Sequence, residues 1–131
     1  MKRLLALFAN NKESLGEKGE RFAALWLKKQ GYKLLHQNYK IGKDEADLIA
    51  IDPDRVTIVI VEVKTRSSSE PAPESSINRK KQFNLARFAS RLGKRKEFSG
   101  RPFRFDAIAI VWPDGEEPQI KHYEAAFDSP F

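Results

Sequence analysis

The run Val56-Thr-Ile-Val-Ile-Val61, followed by Glu62-Val-Lys64, constrains this chain more than any other segment. Its apolar residues are β-branched and nearly unbroken, which suits a central strand buried on both faces. Ionised groups do not belong in such a strand unless something satisfies them. Upstream, Glu45–Ile51 reads as a second strand carrying Asp47, and Asp52-Pro-Asp-Arg55 between the two is rich in turn formers. Taken as a four-residue hairpin loop, that turn sets Ile51 opposite Val56, Asp47 opposite Ile60 and Glu45 opposite Glu62. Side chains alternate with a period of two, so Glu45, Asp47, Glu62 and Lys64 then share one face, provided no bulge intervenes.

Three carboxylates converging on one spot repel one another and raise one another's pKa. A divalent cation removes the conflict, since Mg²⁺ takes a few carboxylate oxygens and keeps several waters for a phosphate. An ammonium at Lys64 could hold an attacking water and offset charge on a phosphoryl oxygen. Together these groups suit attack of water on a phosphodiester. The competing reading is an exposed face with cross-strand pairs such as Lys64 with Glu45. The position of Glu-Val-Lys after an apolar strand, with Asp47 on the neighbouring one, favours the site.

The remaining elements follow from pattern. Ser14-Leu-Gly-Glu17 fits a capping box, and the apolar stripe through Phe22, Ala23, Trp26 and Leu27 stops at Gly31, predicting a helix from Leu15 to Gln30. Residues 1–13 read as a short helix or an arm. Tyr32–Tyr39 is a weakly patterned strand near an edge, and Val56–Thr65 the central one. Ser67–Ser76 has a loop's composition, and Ser76 to Leu92 fits a second helix ending at Gly93. Strands are expected at Phe103–Trp112 and Gln119–Tyr123, with a helical turn at Glu124–Phe127. The order α-β-β-β-α-β-β describes a mixed sheet flanked by helices, and residues 14–131 read as one domain of α/β class.

Charge is unevenly divided. Arg79 to Arg104 holds ten Lys or Arg residues and one acid, a net +9, while the rest of the chain is net −3, giving +6 in all. This pattern is expected of polyanion binding. The absence of Cys excludes a disulfide framework, a thiolate metal site and a Cys nucleophile, and two His residues argue against a His-rich zinc site. No apolar run approaches the ~20 residues of a bilayer span, and the N-terminal Leu4–Ala9 is short for a signal peptide, so a soluble cytoplasmic protein with no membrane partner is expected.

Gly16-Glu-Lys-Gly-Glu20, Ala23, Gly31-Tyr32, Asn38, Glu45-Ala-Asp47-Leu-Ile-Ala50, Val61-Glu-Val-Lys-Thr-Arg66, Lys81 and Arg104-Phe-Asp106 together closely resemble the YraN-like bacterial family. That family is similar to archaeal Holliday-junction resolvases of the PD-(D/E)-x-K, or restriction-endonuclease-like, superfamily. The resemblance runs from Gly16 to about Phe127 and implies a restriction-endonuclease-like core. It implies that Asp47 and Glu62 are ligands of Mg²⁺ or Mn²⁺, that the Val63 carbonyl adds an oxygen, and that Lys64 is the catalytic lysine. Glu20 matches the helix carboxylate that approaches the metal in related resolvases; the alternative is a surface Glu paired with a neighbouring Lys. Two departures stand out: Asp44-Glu45-Ala46-Asp47 replaces the usual Gly-Glu-Ile-Asp, and Ala46 stands where the superfamily has Pro. Asp44 is thus an extra carboxylate near the expected site.

The expectation is a metal-dependent endonuclease acting on DNA, structure-selective because no base-reading module is evident. Arg66, Arg79, Lys80, Lys81, Arg87, Lys94, Arg95 and Lys96 are the expected phosphate contacts, which position a strand without reading its sequence. A branched substrate would call for a two-fold homodimer. Two alternatives are a nucleic-acid-binding protein that keeps the fold without cutting, and a protein-interaction module.

Overall fold

The computed structural model describes residues 13–68 and 77–129 of the 131. Most of the expected arm and most of the Ser67–Ser76 loop lie outside the described residues. The elements are α1 (Leu15–Lys29), β1 (Lys33–Ile41), β2 (Asp44–Ile51), β3 (Ile58–Arg66), α2 (Arg79–Leu92), a 3₁₀ turn at Lys96–Phe98, β4 (Phe103–Val111) and β5 (Gln119–Tyr123). The strands form one sheet in chain order, antiparallel except for the parallel pair β3–β4 that α2 connects. The expected α/β class and element order hold, and β3 is the central strand.

Each helix covers one face of the sheet. Phe22, Ala23 and Leu27 of α1 pack on Leu48, Ala50, Val59, Val61, Ile108 and Ile110. On the other face Leu85, Phe88, Ala89 and Leu92 of α2 pack on Ile49, Ile58, Ile60 and Phe105. Odd residues of β3 serve one core and even residues the other, as a period of two requires. Capping sets where both helices begin. Ser14 accepts from the Glu17 N–H while Glu17 accepts from the Ser14 N–H, completing the box. α2 begins three residues later than expected because Asn78, not Ser76, caps it, accepting from the Lys81 N–H at 2.8 Å.

The β2–β3 hairpin departs from the expected register. Ile51 pairs with Ile58 rather than facing Val56, because Val56 and Thr57 belong to the loop. Asp54 holds them there, its Oδ1 accepting from both their N–H groups and its Oδ2 from the Thr57 hydroxyl. Arg55, in the left-handed region at φ 67, completes the turn. Val56, expected to open the buried strand, is 52% exposed. The shift is two residues, so it preserves which side chains of β3 share a face. The expected helical turn at Glu124–Phe127 is instead an irregular turn with Ala125 at φ 51.

Candidate active site at the parting of two strands

Pairing between β2 and β3 ends at Leu48 with Val61. Beyond that point a side chain replaces the backbone ladder: Asp47 Oδ2 accepts the Val63 N–H at 2.8 Å. Alternation also breaks here. Leu48 and Ala50 belong to the α1 core, yet Ala46 lies in the α2 core, and Asp44 bonds Arg87 of α2. Asn38, bracketed on β1 by the pairs Gln37–Leu48 and Tyr39–Ala46, sits opposite Asp47 at φ 49. A left-handed residue inside a strand is uncommon, and Asn is among the few types that tolerate it. The break overturns the expectation that Glu45 shares a face with Glu62. Glu45 lies instead 3.8 Å from Lys40 and near Glu20 on the α1 side.

Asp47 is thus set between two carboxylates arriving from opposite faces. Glu62 projects from β3 toward α2 and is 9% exposed, with Lys81 Nζ at 3.4 Å from its Oε2. Burial first, then a hydrogen bond and the charge of Asp47, push the Glu62 carboxyl up to about 8, partly offset by Lys81. Glu20 comes from α1. Burial, then the Asp47 charge, raise its pKa, while a hydrogen bond from Asn38 opposes the shift. Glu20, half-buried, thus lies within the electrostatic reach of Asp47 and beside Asn38.

Gly19 explains how α1 comes this close. A Cβ there would sit 1.8 Å from Thr65 Oγ1, inside any real contact distance. Thr65 Oγ1 is itself buried without a hydrogen-bond partner. Lys64 and Arg66, both half-buried, continue β3 in register with β4 opposite Ala109 and Val111. Alternation places Lys64 on the Glu62 side of the strand. The N–H and C=O of one strand residue point the same way, so the Val63 carbonyl faces the gap that Asp47 enters.

The donor chemistry fits a hard divalent cation. Two adjacent carboxylates, one buried, are not both comfortably ionised unless positive charge joins them, and their oxygens are what Mg²⁺ takes. Among the described residues no group of three His, Cys, Asp or Glu side chains is arranged to hold a metal. A cation here would rest on Asp47, Glu62, the Val63 carbonyl and water.

The expected phosphate contacts divide into two kinds. Arg79, Lys80, Lys94, Arg95 and Lys96 are exposed, with the Arg95 guanidinium against the Tyr39 ring and hydroxyl. Lys81 is engaged with Glu62. Arg87 forms two 2.7 Å bonds to Asp44, which is 3% exposed. The Arg87 bonds outweigh burial and hold the Asp44 carboxyl below its usual range. Asp44, the extra carboxylate noted in the sequence, is therefore neutralised by Arg87 beside α2.

Sequence reading assigned no role to Arg104 and Asp106, although both fall within a motif. Asp106, 1% exposed, takes Arg104 through Nε at 2.8 Å and Nη2 at 2.9 Å, the Ala125 N–H at 3.0 Å and His122 Nε2 at 2.7 Å. Arg104 also reaches Asp52 at 2.7 Å and the Tyr32 hydroxyl at 2.9 Å. The partners come from β5, the loops after β2 and β5, and the residue before β1, which is why spacing in one sequence could not reveal them.

Comparison with known proteins covers most of this arrangement. The uncharacterised protein family UPF0102 matches residues 19–110, a span that includes Glu20, Asp47, Glu62, Lys64 and Asp106. A UPF0102 protein of Trichlorobacter lovleyi is 34% identical over 125 residues, covering 95% of this chain and 98% of that protein. One from Alkaliphilus metalliredigens is 40% identical over 116 residues, covering 88% and 98%. One from Rhodopirellula baltica is 37% identical over 118 residues, covering 88% and 71%. With a matching family profile and relatives aligned over nearly their whole length, the chain belongs to the UPF0102, or YraN-like, family.

Proposed function

We propose that this chain is a metal-dependent nuclease that hydrolyses DNA phosphodiester bonds, with a preference for branched structures. The observation that carries the reading is the meeting of Asp47 and Glu62 where β2 leaves β3. Asp47 and Glu62, with the Val63 carbonyl, would hold Mg²⁺ or Mn²⁺. When bound, such an ion supplies a Lewis acid and lowers the pKa of water. Glu20 faces the same spot from α1 and can accept a proton from an attacking water. Lys64 lies on the Glu62 side and its ammonium can offset charge on the phosphoryl oxygens. In the step, the water oxygen bonds to phosphorus, the bond to the departing sugar oxygen breaks, and that oxygen gains a proton from solvent.

Exposed Arg79 and Lys80 open α2 beside this edge, and Lys94–Lys96 follow its far end. They would grip phosphates without reading bases. The likeness of the motifs to Holliday-junction resolvases favours a branched substrate and a two-fold dimer. One observation favours a non-cleaving binder instead: Lys81 already stands 3.4 Å from Glu62, where a cation would act.

The test is cleavage of labelled junction, flap and duplex DNA with Mg²⁺ or Mn²⁺. Asp47→Asn, Glu62→Gln and Lys64→Gln should each reduce cleavage by about 100-fold or more. Cleavage unchanged in all three variants would refute the assignment. Metal-independent binding without any product would favour the binder.

A further inference from the structure

An open cleft of about 650 Å³ lies at the end of β2 remote from Asp47, bounded by Lys28, Tyr32, Lys33, Asp52, Arg55 and Arg101 among others. Four of these are cations and one is an acid. That acid is engaged elsewhere: Asp52 Oδ2 lies 2.7 Å from Arg104, and its Oδ1 accepts the Asp54 N–H. Arg101 is anchored by carbonyls alone, its Nε to Val56 at 2.9 Å and its Nη2 to Arg55 at 3.0 Å. Among the described residues none of the four cations forms an ion pair.

Like charges gathered around a concavity focus a positive field, and an anion relieves their repulsion. We propose that this cleft binds a phosphate group, either of a nucleic-acid strand or of a small phosphorylated ligand. Its volume admits a nucleotide-sized group, within the roughly 300–1,000 Å³ of ordinary ligand pockets. Asp47 lies four residues from Ile51, about 13 Å at the rise of a strand. The phosphate held here is therefore not the one at the carboxylates. Lys28, Lys33 and Arg55 lie outside the Arg79–Arg104 basic segment and Arg101 within it, so folding builds a cationic feature that the segment alone does not contain. Binding here does not depend on whether the chain cleaves DNA.

Pyrophosphate titrated into the ¹⁵N-labelled protein at low salt should give saturable shifts at the amides of Gly31, Tyr32, Lys33 and Asp52. Lys28 and Lys33 are exposed, so the Lys28→Glu/Lys33→Glu variant should stay folded yet bind at least about ten-fold more weakly. Asp47→Asn should bind like the wild type, which separates this result from any failure of the nuclease reading. A short oligonucleotide that displaces pyrophosphate, with a salt slope lower by about 0.7 for each phosphate the double variant no longer neutralises, assigns the phosphate to a strand. A mononucleotide that displaces pyrophosphate where the oligonucleotide does not assigns it to a small ligand. Absence of a saturable shift, or equal binding by the double variant, would overturn the proposal.

Discussion

Glu62 and Asp106 are both buried carboxylates on adjacent central strands, and their surroundings drive them in opposite directions. Burial pushes each upward. At Asp106 the hydrogen bonds of His122, Arg104 and the Ala125 N–H, with the Arg104 charge, outweigh it and hold the carboxyl below its usual range. At Glu62 a second carboxylate replaces the cations, one Lys only partly compensates, and the group rises to about 8. A satisfied buried acid clamps the fold, whereas one left beside another acid destabilises it when ionised, and that imbalance is what the proposed cation site would relieve.

Breaking the satisfied end should have the larger effect on stability. Arg104→Met leaves Asp106 buried without its principal cation and should cost about 3–5 kcal/mol in denaturant unfolding. A loss below about 1 kcal/mol would remove the clamp from the account. Glu62→Gln should do the reverse above pH 8, stabilising the metal-free protein by roughly 1–3 kcal/mol, since it removes a group disfavoured when ionised.

The pH profiles sharpen the contrast further. Glu62 binds its proton more tightly in the folded chain, so its contribution to stability declines as pH rises from its ordinary 4.5 to about 8. Asp106 binds its proton less tightly, so its contribution is complete above its ordinary 3.8 and is lost as pH falls below that. Unfolding free energies measured from pH 3 to 9 should therefore show the decline between about pH 4.5 and 8 vanish in Glu62→Gln. The acid decline should shrink in Asp106→Asn.

Smaller effects probe the geometry around the site. Gly19→Ala should cost about 1–3 kcal/mol, because the added methyl meets Thr65 at 1.8 Å and must push α1 away. That displacement would also carry Glu20 from Asp47. Glu45→Gln should change stability by less than about 0.5 kcal/mol, since its pair with Lys40 is exposed and 3.8 Å long.

Much of this molecule was legible in the sequence. The unbroken β-branched run identified β3 as central, and the Ser14–Glu17 box and Gly31 bounded α1 nearly to the residue. Those signals are local, each carried by neighbours in the chain. The β2–β3 register was not legible, because Asp54 draws Val56 and Thr57 out of a strand that their side chains suit. The face of Glu45 was missed for a related reason. Alternation breaks at Asp47, where a left-handed Asn38 on the next strand and a side-chain bond to Val63 replace regular pairing. Asp47 and Glu62 are still neighbours, since the two-residue shift keeps parity along β3, and Glu20 comes near Asp47 because Gly19 lets α1 approach. The Arg104–Asp106 clamp depended on partners distant in sequence, Tyr32, Asp52 and His122, and no spacing announces such a group.

On the proposed function, Asp47 and Glu62 would share a divalent cation. The most direct measurement is a crystal structure of the protein soaked in Mn²⁺, with anomalous scattering to locate the ion. The account predicts an anomalous peak coordinated by Asp47, Glu62 and the Val63 carbonyl, with Lys81 displaced from Glu62. No peak there, with Lys81 still on Glu62, would contradict it.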